Sequence, residues 1–214
     1  VGVMCKQNHA EIFPVDMGMV TDTKVRTDHK VAYGTQNMTK GPAMTREQAI
    51  KGIEAGIAMV EELKNKGYKI LATGEMGIGN TTTSSAVASV LLDQPVEEMT
   101  GRGAGLTSEG LVRKIAAIRK AIELNQPDPS DAIDVLAKVG GLDIAGMAGV
   151  FLGGAVYHVP VIMDGFISCV SALIAMQICP AAGDYILASH VSKEPAAHLI
   201  LEHMKKEAIL YADM

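Results

Sequence analysis

The chain has 214 residues, a formal net charge of −5, 48% hydrophobic residues and 4% aromatic residues, with no Trp. That length suits one sizeable core, and the apolar share excludes a disordered chain. The acidic balance and the lack of aromatic platforms argue against nucleic acid as a partner, because a polyanion needs a basic face and single strands need rings to stack on. A single phosphorylated metabolite stays compatible, since local backbone amides can hold it inside an acidic protein. Cys5, Cys169 and Cys179 are widely spread and form no CxxC pair. They read as buried, reduced thiols of a cytoplasmic protein, not as a disulfide framework or zinc site. The most apolar region, 144–178, is interrupted by Gly153, Gly154, His158, Pro160 and Asp164, so no membrane span is expected. Val1 stands where a Met would start a full chain and an apolar stretch follows within ten residues, so the sequence is expected to be the interior of a longer protein.

In chain order, 10–15 is expected to be a short strand ending at Asp16-Met17-Gly18, and 19–44 a long loop rich in Thr, Asp and Gly. Thr45 and Gln48 form a capping box before Ile50, Ile53, Ile57 and Val60, which recur at helical spacing until Gly67. A buried strand over 69–73 runs into Gly74-Glu75-Met76-Gly77-Ile78-Gly79-Asn80, and a helix over 81–92 follows. Gly101 to Gly105 make a second glycine-rich turn, then come a helix over 107–124, a break at 125–129 and a short helix over 131–139. Asp143 is expected to cap a helix over 144–157. Strands over 159–163 and 185–189 alternate with helices over 167–178 and 195–206, the last opened by Pro195. Strand and helix in alternation specify an α/β protein with a parallel sheet covered on both faces.

The segment 74–83 carries most of the chemistry. Three glycines allow a tight turn with exposed N–H groups, and Asn80, Thr81, Thr82 and Thr83 crowd a helix start, where unpaired amides and the helix dipole favour phosphate. Gly74 and Gly79 have the spacing of a Walker loop, but Asn80 occupies the place of its lysine, which opposes an ATPase or GTPase. The glycines fall as GxxGxG, so the dinucleotide fingerprint is also absent. The alternative is a turn that merely packs a helix; Glu75 beside it weighs against that, being either a solvated carboxylate or one that touches ribose or a cationic intermediate. Lys114, two turns into its helix, is either a solvated charge or a phosphate ligand. Asp164 and the run Ser189-His190-Val191-Ser192 follow strands, where loop chemistry belongs. His190 is either a ligand or a hydrogen-bonded structural histidine, and Ser192 either a ligand or a cap of the last helix. His198, Glu202 and His203 lack zinc spacing and are expected at the surface.

The loop Gly74-Glu75-Met76-Gly77-Ile78-Gly79-Asn80-Thr81-Thr82 resembles the signature of the nicotinate-nucleotide:dimethylbenzimidazole phosphoribosyltransferases of cobalamin lower-ligand synthesis. So, in the same order, do Gly34-Thr35-Gln36-Asn37, Pro42-Ala43-Met44-Thr45, Gly101-Arg102-Gly103-Ala104-Gly105-Leu106, Gly140-Gly141-Leu142-Asp143-Ile144-Ala145-Gly146-Met147, Pro160-Val161-Ile162-Met163-Asp164-Gly165 and Ser189-His190-Val191-Ser192. The resemblance implies a Rossmann-like large domain spanning 1–214, with a small domain built from chain termini largely outside these residues, and a cytoplasmic homodimer. It implies transfer of ribose 5-phosphate from nicotinate mononucleotide to 5,6-dimethylbenzimidazole or a related base, with no metal or redox cofactor. Glu75 and Gly77, with Gly79, Asn80 and Thr81 of the same loop, would approach the nucleotide. Lys114 and Ser192 would hold its phosphate, His190 would also bind substrate, and the Gly103 turn would lie near nicotinate. Glu75 or Asp164 would stabilise charge developing on the ribosyl group. Ala104 departs from the threonine expected there, which removes a hydroxyl. The family's general base is a glutamate in a glycine-flanked motif near the C-terminus, and the chain reaches Met214 before such a motif. The competing expectation is therefore a fragment or degenerate homologue that binds a nucleotide without turning it over.

Overall fold

The computed structural model describes residues 2–211; Val1 and positions 212–214, including the Asp213-Met214 end noted above, lie outside the described residues. Three parallel strands, β1 (Leu71–Ala72), β2 (Val161–Met163) and β3 (Ile186–Ala188), form a sheet in the order β1-β2-β3, with Ala72 opposite Ile162 and Ile162 opposite Leu187. Around it lie α1 (Gly2–Gln7), α2 (Arg46–Asn65), α3 (Thr81–Leu91), α4 (Val96–Met99), α5 (Ser108–Asn125), α6 (Ala132–Val139), α7 (Leu142–Tyr157), α8 (Phe166–Ile178) and α9 (Pro195–His203), plus a 3-10 turn at Pro180–Tyr185. The α/β class expected from the alternation of elements is the class observed.

Local chemistry sets most boundaries. The Thr45 hydroxyl accepts the Gln48 N–H while the Gln48 side chain accepts the Thr45 N–H, and Gly67 ends α2 with φ +97°. Thr107 caps α5 through the Gly110 N–H, and Asp131 caps α6 through the Ile133 and Asp134 N–H groups. Arg46 also reaches Asp131 at 2.7 Å, and this guanidinium holds the Asp131 carboxyl below its usual range against the opposing effect of burial.

The core runs between the sheet and α3, α6, α7 and α8, with Phe151, Leu136, Ile144, Met163 and Leu173 fully buried. Helices α2 and α7 approach so closely that their glycines touch backbone: a Cβ on Gly56 would lie 2.0 Å from the Gly146 carbonyl oxygen, and one on Gly149 would lie 2.0 Å from that of Ile53. Small side chains are thus the condition for this crossing.

Several expectations need correction. Residues 10–15 form no strand; Val15 alone makes an isolated bridge, to Arg26. Helices α1 and α4 and the turn at 180–185 were not anticipated. Asp143 does not cap α7, because the helix starts earlier, at Leu142, with Gly141 as its N-cap. Only Cys169 is a buried thiol, pushed up to about 12 by burial and by the charge of Asp164, whereas Cys179, at the end of α8, is exposed. No helix among the described residues is long and apolar enough to cross a membrane.

Candidate active site

Because β1, β2 and β3 are parallel, their C-terminal ends deliver the segments 74–80, 164–165 and 189–194 to one side of the sheet. Loops on that side of an open α/β sheet are where ligands bind. The turn at 101–105 reaches the same place ahead of α5. Together they enclose a cleft of about 280 Å³ lined by Glu75, Gly77, Thr81, Gly103, Asp164 and Ser192, and by Glu194, which sequence reasoning missed. Residues from motifs up to 117 positions apart in sequence (75 to 192) thereby share one wall-to-wall space.

The loop before α3 is shaped by Gly77 and Gly79, at φ +75° and +83°, values an L side chain rarely adopts. It leads into the first turn of α3, whose N–H groups have no partners within the helix. The exposed Glu75 folds back so that its carboxylate accepts the Gly77 N–H. An anion entering this loop meets that amide by displacing a carboxylate already seated there.

Gly79, Asn80, Lys114 and His190 do not form the cleft lining; they stand behind or beside it. Lys114 is only 6% exposed, and its ammonium donates to the Thr81 hydroxyl and to the Gly101 carbonyl, each at 2.9 Å. Burial pulls its pKa below the ordinary lysine value, and the nearby charge of Glu194 offsets part of that pull. Asn80 donates to the Asp143 carboxylate at 2.7 Å, and its side-chain amide oxygen, Oδ1, is buried without a partner. Asp143 is pushed above the usual carboxylate range by burial and further by the charge of Glu75, with the Asn80 bond acting the other way. His190 is half-buried and pairs its Nδ1 with the Ser189 hydroxyl at 2.9 Å. Ser192 does not cap α9; Glu194 is the N-cap residue and donates its own N–H to the Ser192 hydroxyl at 3.3 Å.

The arrangement can therefore offer an anion a helix start, a glycine turn and, from behind the Thr81 hydroxyl, the charge of a buried ammonium at one end, and carboxylates at Glu75 and Asp164 along the rest. Among the described residues no group of three or more potential metal ligands comes together, and His198, Glu202 and His203 ride on α9 apart from the cleft.

The chain also resembles known proteins along its whole length. A family model described as "Phosphoribosyltransferase" matches residues 1–214. The nicotinate-nucleotide–dimethylbenzimidazole phosphoribosyltransferase of Ruminiclostridium cellulolyticum is 52% identical over 216 residues, covering 100% of this chain and 61% of that protein. The protein of the same name from Acetivibrio thermocellus is 50% identical, covering 100% of this chain and 62% of its own length. The crystal structure of CobT from Thermus thermophilus superposes with a TM-score of 0.92 at 34% identity, over 99% of this chain and 64% of that one. The chain thus spans about three fifths of the length of these relatives. Matched along its whole length by that model and sharing half its residues with such relatives, the chain belongs to the phosphoribosyltransferase family that includes the nicotinate-nucleotide–dimethylbenzimidazole enzymes.

Proposed function

We propose that the protein to which these residues belong transfers the ribose 5-phosphate of nicotinate mononucleotide to 5,6-dimethylbenzimidazole or a related base, releasing nicotinate and an α-ribotide phosphate. The observation that carries this reading is the convergence of Glu75, Gly77, Thr81, Gly103, Asp164 and Ser192 on one cleft, in a chain whose relatives carry that enzyme name. In this reading residues 1–214 are the large, nucleotide-binding domain.

The phosphate is held by Lys114, Ser192 and the amides at the start of α3. Fixing it sets the distance from the anion to C1′ of the ribosyl group. Nicotinate leaves C1′ with its ring nitrogen taking the bonding pair, so positive charge develops on the sugar. Glu75 or Asp164, both bordering the cleft, stabilises that charge electrostatically. The acceptor nitrogen attacks from the face opposite the leaving group, which inverts the anomeric centre, and it sheds its ring proton to a carboxylate base. Alignment of the two bound rings supplies much of the remaining acceleration. The reading includes a homodimer, which the resemblance to the family implies. The same reading takes the protein as cytoplasmic.

The test is to incubate the full-length protein with nicotinate mononucleotide and a panel of benzimidazoles and purines, following nicotinate release and ribotide formation. Formation of an α-ribotide is expected. Intact nicotinate mononucleotide with every base would overturn the proposal.

A further inference from the structure

The carboxylate of Glu194 is not used on its own helix. It is the N-cap residue of α9, yet its side chain makes no cap hydrogen bond there. Its Oε1 accepts the Gly103 N–H at 2.9 Å, across 91 positions of sequence, and its Oε2 is buried without a partner. Gly101 and Gly103 are glycines for reasons of contact. A Cβ on Gly101 would lie 2.2 Å from Glu194 Oε2 and 2.8 Å from Pro195 Cδ, and one on Gly103 would lie 2.7 Å from the Thr81 hydroxyl. That hydroxyl and the Gly101 carbonyl are the two acceptors of the Lys114 ammonium. The start of α3, the turn at 101–105 and the entry to α9 therefore meet at Gly101 and Gly103, and Glu194 is the side chain that ties the last of these segments to the second.

We propose that Glu194 is a positioning residue for the anionic end of the cleft: by gripping the Gly103 N–H it fixes the turn whose Gly101 carbonyl aims the Lys114 ammonium. It acts through Lys114 and the turn, without touching the sugar or the reacting atoms. The inference rests on the phosphate-binding role proposed above for Lys114. The partial offset of Lys114 burial by the Glu194 charge agrees with this placement.

The experiment compares Glu194→Ala, Glu194→Gln and Glu194→Asp in the full-length protein. Glutamine keeps an acceptor at the right reach, whereas alanine has none and aspartate is one methylene too short. For alanine and aspartate, KM for nicotinate mononucleotide is expected to rise about tenfold with kcat changed less than about threefold, because one charged-acceptor hydrogen bond is lost from the turn that aims the Lys114 ammonium. Glutamine is expected to restore KM to within about threefold of wild type. Hydrogen–deuterium exchange of the peptide spanning 101–105 is expected to rise in alanine and aspartate and not in glutamine. An unchanged KM in both alanine and aspartate, a fall in kcat alone, or glutamine as impaired as alanine would overturn the proposal. Should alanine not fold, aspartate against glutamine decides by the same criteria. If the wild-type protein leaves nicotinate mononucleotide untouched, the functional reading fails, while the exchange data still judge whether Glu194 anchors the turn.

Discussion

Replacing Gly149 by alanine tests whether the crossing of α2 and α7 depends on the absence of a single methyl group. The new Cβ would sit 2.0 Å from the Ile53 carbonyl oxygen, 2.8 Å from its carbon and 2.9 Å from Gly56 Cα. Ordinary contact begins at 3.4 Å, so the helices must part by roughly 1.4 Å at this point (3.4 − 2.0), and the obstacle is backbone that no rotamer change can clear. A gap of that size forfeits about half or more of the dispersion attraction along the seam. Overpacking of this kind costs about 3 kcal/mol at the upper end of the usual range, whereas Gly to Ala in a helix returns about 1 kcal/mol of propensity. The net loss is about 2 kcal/mol, equivalent to a fall in melting temperature of about 4–8 °C for a domain of this size. With no Trp in the chain, far-UV circular dichroism is the suitable probe. Gly41→Ala, where a Cβ meets nothing within 4 Å, serves as the control and should change little. A Gly149→Ala protein melting at or above the wild-type temperature would refute the reasoning, since propensity would then outweigh close packing.

Lys114→Met should raise KM for nicotinate mononucleotide by about 10- to 100-fold, the range for losing a charge-assisted contact to phosphate, as read by steady-state kinetics. Glu75→Gln in the full-length enzyme should lower kcat by about tenfold or more while KM stays nearly constant, if the carboxylate meets charge only in the transition state; unchanged turnover would remove Glu75 from the mechanism. Asp143 has its carboxyl raised in the folded state by burial, so its contribution to stability is fully present below the ordinary aspartate range and is lost as pH rises through the raised value. Asp143→Asn should therefore gain on wild type in urea midpoint as pH rises from about 4 to neutrality, and a difference independent of pH would contradict that burial effect. Asp16 is the opposite case: burial pushes its carboxyl up, but the Met19 N–H, the Thr23 hydroxyl and Lys30 at 3.1 Å outweigh it and hold it low. Its contribution is present above the ordinary aspartate range and lost as pH falls through the depressed value, and Asp16→Ala, which removes the acceptor of the Met19 N–H and the Thr23 hydroxyl and leaves Lys30 only the Thr21 carbonyl and the Tyr33 ring, should cost about 2 kcal/mol at neutral pH by urea unfolding.

What could be read from the sequence was whatever local chemistry writes locally. The capping box at Thr45 and Gln48 and the stop at Gly67 each involve neighbours within a turn, and the helix they bound falls where expected. Helices of four to six residues, such as α4 and α1, are too short to show a period, and both escaped. The apolar run at 10–15 has the composition of a strand, but a strand exists only beside another, and here Val15 alone finds one partner. The glycine loop and the strand-end positions of Asp164 and Ser192 were legible because parallel topology fixes where loops must go. Asp143 was misassigned, since an aspartate ahead of an apolar helix looks like a cap, and its true partner Asn80 is 63 positions away. Glu194 gave no sign at all. Its meaning lies in a turn that comes 91 positions earlier, and nothing in the stretch Ser192 to Pro195 points there. For Lys114 the sequence left two readings standing, and burial to 6% exposure removes the solvated one.

The strand pairing of Ala72 with Ile162 and of Ile162 with Leu187 also works as a ruler. Neighbouring strands lie about 4.8 Å apart, so the loops leaving them are spaced on the scale of a single pentose ring. That interval is written in backbone hydrogen bonds and not in side chains, so it survives almost any substitution in the loops themselves. On the function proposed above, such a scaffold would let the residues facing the acceptor ring change while the footing of the sugar stayed where the sheet put it.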